Sequence, residues 1–205
     1  MMKSTGIIMS QPMIIADLAG EKFQTRRTWG LNKINESPDD WGIVAVFQDG
    51  VARFYSKIVG HDDVSIKCPY GGIGDSVWCK ETWRPVASMI GGGVPRLGIQ
   101  IKDAIEWKAN NPNQLGKWKS SMFMKREYSR RKHVLTNIRC ERVQEITEDD
   151  AKLEGVGIIH ENQQTIPEYW ESYKKTYSVL WDELNFKRGY PWDKNIWVWV
   201  LEWKE

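Results

Sequence analysis

The chain has 205 residues, a formal net charge of +2 and 41% hydrophobic residues, which fits one domain able to bury its own core. So small a net charge excludes a global pull onto nucleic acid or membrane, and any basic site has to be a local patch. Three widely spaced cysteines (Cys68, Cys79, Cys140) without a C-x-x-C pair argue for a reduced environment and against zinc, and no run approaches the length of a membrane span.

Ile7 to Ser10 reads as a short strand. Ser10 then caps a helix with Pro12 just inside its start and Gly20 just past its end, and Met13, Ile14, Ala16 and Leu18 give that helix an apolar face. The opening residues meet this proline too soon to be a signal peptide. Lys22 falls in the following turn, and Phe23 to Arg27 leave it as a strand. Trp41 to Phe47 and Val51 to Val59 form a hairpin around Gln48-Asp49-Gly50. The glycine-rich stretch Pro69 to Asp75 has no lysine-serine pair after it, so it reads as a turn rather than a phosphate loop. It leads into a half-buried strand, Ser76 to Trp83.

Between Pro85 and Leu115 the breakers Gly91-Gly92-Gly93 and Asn110-Asn111-Pro112-Asn113 flank a candidate strand, Gly98 to Trp107, and mark an insertion at about 85–116. His133 to Ile146 is a long strand. Thr147-Glu148-Asp149-Asp150 opens a short helix that Gly155 stops. Glu154 thus sits at the negative end of the helix dipole, where a carboxylate costs up to about 1 kcal/mol. A local rule broken in this way marks a functional position or a nearby compensating lysine; a solvated glutamate at a frayed helix end is the plainer alternative. Pro167 opens the longest helix, to about Asn185, with Trp170, Tyr173, Tyr177, Leu180, Trp181 and Leu184 as its core stripe. Ile196 to Trp203 is apolar on both faces and should be covered on both. Roughly seven strands and three helices without a βαβ repeat predict an α+β domain, either a mixed barrel or a sheet.

Two stretches carry chemistry. In Gly20-Glu21-Lys22-Phe23-Gln24-Thr25-Arg26-Arg27, a lysine and a hydroxyl three residues apart could act as base and nucleophile, the plainer alternative being a turn into a strand with solvated charges. The two arginines would attract a phosphate and make it harder for the lysine to keep its proton. The second stretch, residues 117–132, carries Lys117, Lys119, Lys125, Arg126, Arg130, Arg131 and Lys132 against Glu127 alone, interleaved with Trp118, Phe123 and Tyr128. Cations that hold a backbone, alternating with rings that stack on bases, are the sequence form of a groove for RNA or single strands. A solvated helix face with buried rings is the plainer alternative.

Taken together, several features are recognisable: the Gly-x-Lys-x-x-Thr-x-Arg motif, Gly74-Asp75-Ser76-Val77-Trp78, the helix end Leu153-Glu154-Gly155 and the closing Trp197-Val198-Trp199 strand. The chain resembles the ASCH-domain group of the PUA-like superfamily, in particular the longer versions carried by bacteriophages and prophages. The resemblance covers most of the chain except about 85–115 and 155–165. It implies a small mixed β-barrel flanked by helices, as a single domain in the cytoplasm of a bacterial host, with a cleft for RNA or a modified nucleoside.

Some small members of the group hydrolyse N4-acetylcytidine with a lysine, a threonine and a glutamate, which fall here on Lys22, Thr25 and Glu154; the motif's arginine falls on Arg27. Other members are described as lysine-dependent ribonucleases. This chain departs from the small members at Phe23, Gln24 and Arg26 and in its length, and Arg26 and the basic segment favour a polymer. As a base, Lys22 needs its pKa to fall from about 10.4 towards 7–8. It can reach Thr25 only from the turn, because residues three apart on a straight strand face opposite ways. His61, His133 and His160 are dispersed, against a paired-histidine ribonuclease. The expectation is a nucleic-acid-binding module needing no metal or cofactor and no membrane, with a hydrolase on the same cleft as alternative and a phage structural or assembly protein as a third reading.

Overall fold

A computed structural model describes residues 2–85, 105–111, 113–157 and 172–204. Its strands are β1 (Ser4–Ile8), β2 (Gln24–Arg27), β3 (Trp41–Val46), β4 (Val51–Ser56), β5 (Val64–Lys67), β6 (Ser76–Lys80), β7 (Trp83–Pro85), β8 (Ile105–Trp107), β9 (Lys132–Arg142) and β10 (Trp197–Trp203). Its helices are α1 (Gln11–Leu18), α2 (Asn32–Glu36), α3 (Glu148–Leu153) and α4 (Tyr173–Asn185). Among the described residues ten strands form sheets of five, three and two, an α+β arrangement.

The tryptophan-rich strand organises the rest. Every residue of β10 except Glu202 is buried, as a run apolar on both faces requires. It lies inside the five-stranded sheet, in the order β1-β6-β9-β10-β2. The long β9 serves two neighbours: Lys132 to Val134 pair with β6, and Leu135 to Arg142 pair with β10. β1 runs parallel to β6, and β2 antiparallel to β10.

The expected closed barrel is not formed. No ladder joins β1 to β2 among the described residues, so the sheet keeps two edges and a seam between them. The hairpin forms as β3–β4, ends at Ser56 rather than Val59, and gains β5 as a third strand. Ser76 to Trp83 divides into β6 and β7, because Glu81 and Thr82 interrupt the pairing. The long strand stops at Arg142 and passes into a 3-10 turn, Val143–Glu145. Of the inserted strand, Ile105–Trp107 is seen and pairs with β7. The earlier part of that strand, residues 167–171 of the long helix and His160 lie outside the described residues. No helix among the described residues is long and apolar enough to cross a membrane.

Candidate functional site

Helix signals place the key lysine. α1 ends in a Schellman motif: Glu21 N–H donates to Ala16 O (3.0 Å), Gly20 N–H donates to Asp17 O (3.3 Å), and Gly20 takes a φ of 72°. Lys22 therefore lies in the turn before β2, and Trp203 Nε1–H donates to its carbonyl at 3.1 Å. On the other side Thr147 caps α3 through the Asp150 N–H, and the helix stops at Glu154 with Gly155 at φ 80°. A Cβ on Gly155 would lie 2.6 Å from Ala16 Cβ and 3.3 Å from Lys22 Cβ. Only glycine lets α3 come this close, and the approach delivers Glu154 to Lys22.

Lys22 Nζ donates to Glu154 Oε2 and to Glu154 O, both at 2.8 Å. The carboxylate that opposes its own helix dipole is thus offset by a lysine. Both residues are almost fully buried, at 1% and 3% exposure. Burial lowers the Lys22 pKa below the ordinary lysine value; the charge of Glu154 and its hydrogen bond work against this, and the charge of Arg27 adds to it.

Arg26 extends the same network. It donates to Glu141 (Nη2–H, 2.6 Å), Asp150 (Nη2–H, 3.1 Å) and Glu154 (Nη1–H, 3.1 Å). Arg139 in turn holds Glu141 and Asp150 at 2.9 and 2.8 Å, and also Glu202. Burial opposes the charge on Arg26, but the surrounding carboxylates, led by Glu154, keep its pKa raised. Read from sequence as a cation for a phosphate, Arg26 is instead spent inside the protein.

Along the seam between the edges of β1 and β2 runs a cleft of about 710 Å³, with α4 as its third wall. Thr25, Arg27 and Glu154 all line it. Lys22 stands behind Glu154, and no hydrogen bond joins it to Thr25 among the described contacts. Tyr70 and the exposed Trp29, edge-on at 5.7 Å, stand at the same cleft, as does Tyr177. Sequence reasoning missed Arg188, which joins this wall from the 3-10 turn after α4. Next to Gly189 it reads as an ordinary basic residue at a helix end, so nothing in the sequence singles it out.

The basic segment departs from expectation more sharply. It forms two 3-10 turns, Ser121–Phe123 and Arg126–Tyr128, over the β7–β8 pair. Arg130 makes a two-pronged ion pair with the buried Glu81 at 2.8 and 2.7 Å, and its guanidinium lies over Trp107. Arg131 binds the fully buried Asp17 at 3.0 Å. Trp118 is covered by Arg84 at 4.4 Å, and Tyr128 packs on Trp83. These four side chains are structural rather than open to a nucleic acid. Lys117, Lys119, Lys125, Arg126 and Lys132 remain exposed.

Asp17, Cys79 and His133 place three metal-ligand atoms within 4.8 Å of one another. Asp17 already accepts hydrogen bonds from Arg131 and the Cys79 thiol and pairs with His133. A metal here would have to compete with the Arg131 guanidinium. Burial pushes the Cys79 thiol far above its ordinary value, away from the thiolate that metals bind. The cluster reads as a satisfied ion pair under the α1 end. No family model, curated protein or solved structure matches this chain.

Proposed function

We propose that the chain is a nucleic-acid-binding domain of the PUA-like, ASCH type that takes one nucleotide unit of RNA, or a modified nucleoside, into the seam cleft. One observation supports this above the others: a 710 Å³ hollow that combines hydrogen-bonding groups (Thr25, Arg27) with aromatic side chains (Trp29, Tyr70, Tyr177). A cleft of that volume suits a nucleoside, rings at its wall suit a base, and the exposed lysines of residues 117–132 suit the flanking strand.

The second reading is hydrolysis of an N4-acylcytidine. It is favoured by Thr25 and Glu154 sharing a wall with Lys22 bound behind them. Neutral Lys22 would take the Thr25 hydroxyl proton as the oxygen attacks the acyl carbonyl, then return it to the departing cytidine amine; water would release the acyl group as a carboxylate. Against this, Lys22 is engaged twice by Glu154 and not by Thr25. Binding is therefore the preferred function.

The test measures affinity and turnover together, using N4-acetylcytidine and a short RNA that contains it. Saturable binding without acetate release, weakened by Thr25→Val, is the expected result. Acetate release abolished by Thr25→Ala moves the assignment to the hydrolase, and absence of both binding and release overturns both readings.

A further inference from the structure

Four buried side-chain polar atoms have no hydrogen-bond partner among the described residues, and two of them, Ser10 Oγ and Arg27 Nε, belong to residues on the cleft wall. An unpaired buried donor is costly, and a native protein leaves one chiefly where something else completes it. Ser10 occupies the N-cap position of α1, yet its hydroxyl makes no capping bond. Arg27 forms no ion pair with any described carboxylate, although its strand neighbour Arg26 holds three.

Arg188 is a further cation of the wall, beside Arg27 and the ion-paired Arg26. Its guanidinium is braced by neutral partners only, Asn185 Oδ1 at 2.8 Å and Thr28 Oγ1 at 3.3 Å. Thr28 follows Arg27 directly, so that bond brings Arg188 to the end of the strand that carries Arg27. Both charges are felt by Tyr70, where each opposes the rise that burial imposes on the phenol. Two guanidiniums thus line one cleft with no described carboxylate paired to either, Arg188 braced by neutral groups and Arg27 Nε without a partner, and like charges in one hollow favour the entry of an anion.

We propose that Arg27, Arg188 and Ser10 form a phosphate subsite in the cleft, so that the ligand is a nucleoside carrying a phosphate rather than a free nucleoside. This rests on the binding function proposed above and narrows its substrate class. Guanidinium forks match phosphate oxygens in pairs, and a serine hydroxyl can donate to a third. The shared chemistry is a phosphate joined to a nucleoside, supplied either by a free nucleotide or by the backbone of an RNA strand.

The test titrates the full chain with cytidine, 5′-CMP, a five-nucleotide RNA and inorganic pyrophosphate. The phosphate should improve affinity about tenfold or more over cytidine, the yield of one charge-assisted contact. That gain should vanish in Arg27→Met and Arg188→Met and shrink in Ser10→Ala. Because Arg188→Met also removes the bonds to Asn185 and Thr28, thermal unfolding of each variant is measured alongside, and Ser10→Ala provides a variant that leaves both cations in place. A gain with 5′-CMP assigns the subsite to a free nucleotide, and a gain with the RNA alone assigns it to the strand backbone. Equal affinity for cytidine and both phosphorylated ligands overturns the subsite while leaving the binding function standing. If no cytidine-containing ligand binds, the binding function falls and pyrophosphate decides: saturable binding lost in Arg27→Met keeps the anion site, and no binding removes it.

Discussion

Arg26 and Arg27 are neighbours on one edge strand and end in opposite circumstances. Strand alternation turns Arg26 towards α3 and β9, where Glu141, Asp150 and Glu154 surround it and leave its side chain fully buried. Arg27 makes no described ion pair: the carboxylate that shares its cavity wall, Glu154, is held by Lys22 and Arg26 instead. The first arrangement holds elements together. The second leaves a charge without an ionic partner among the described residues. A sequence motif that lists both arginines treats them alike, and only the partners reveal which one is available.

The sharpest way to break this contrast is to remove each cation in turn. Arg26→Met strands buried carboxylates and should destabilise the fold by about 3–5 kcal/mol in urea unfolding. Arg27→Met, with no ionic partner to lose, should change stability by less than about 1 kcal/mol. Equal losses would erase the distinction between the two faces.

A smaller, pH-gated loss tests the paired side alone. Burial raises the pKa of Asp150, but its bonds from Gln24 and Arg139 outweigh that and hold its carboxyl below the ordinary 3.8; Asp17 is held down in the same way by His133 and Arg131. A carboxyl lowered on folding adds stability that is fully present above its unfolded value and is lost as pH falls through the folded one. Stability should therefore hold down to about pH 4 and fall below it, and Asp17→Asn should flatten the fall. An acid melt that begins near neutrality would contradict the pairing.

The smallest structural effects belong to the exposed cations of residues 117–132. Lys125→Ala and Arg126→Ala should leave stability within about 0.5 kcal/mol. If RNA lies along the segment, each should reduce the salt slope of binding by about 0.7. Arg130→Ala should behave differently, destabilising the fold by leaving Glu81 buried alone. A variant of Arg130 that unfolds no more easily than one of Lys125 would restore the segment to a uniform basic stripe.

Local rules carried much of this in the sequence. The Ser10, Pro12 and Gly20 signals located α1 and put Lys22 in a turn, and the misplaced Glu154 left three readings open, of which the nearby lysine is the one the structure shows. The alternating apolar run of β10 gave its burial on both faces. Tertiary pairing was not legible. Glu81 and Asp17 lie far along the chain from Arg130 and Arg131, so a count of charges in residues 117–132 credits to solvent two cations that the fold consumes. Closure of the sheet failed for the same reason: whether β1 and β2 meet depends on what lies between their edges, and α4 with its aromatic face helps to line that gap.

The seam also sets an order of events for the polypeptide. Its β2 wall is pinned through Thr25 opposite Leu201 and Arg27 opposite Trp199, contacts that close nearly the whole length of the described chain into one loop. Such distant pairings are slow to find. The hollow is therefore expected to assemble late, after the β3–β4 hairpin and the helices have formed locally, because its β2 wall is absent until β10 has docked.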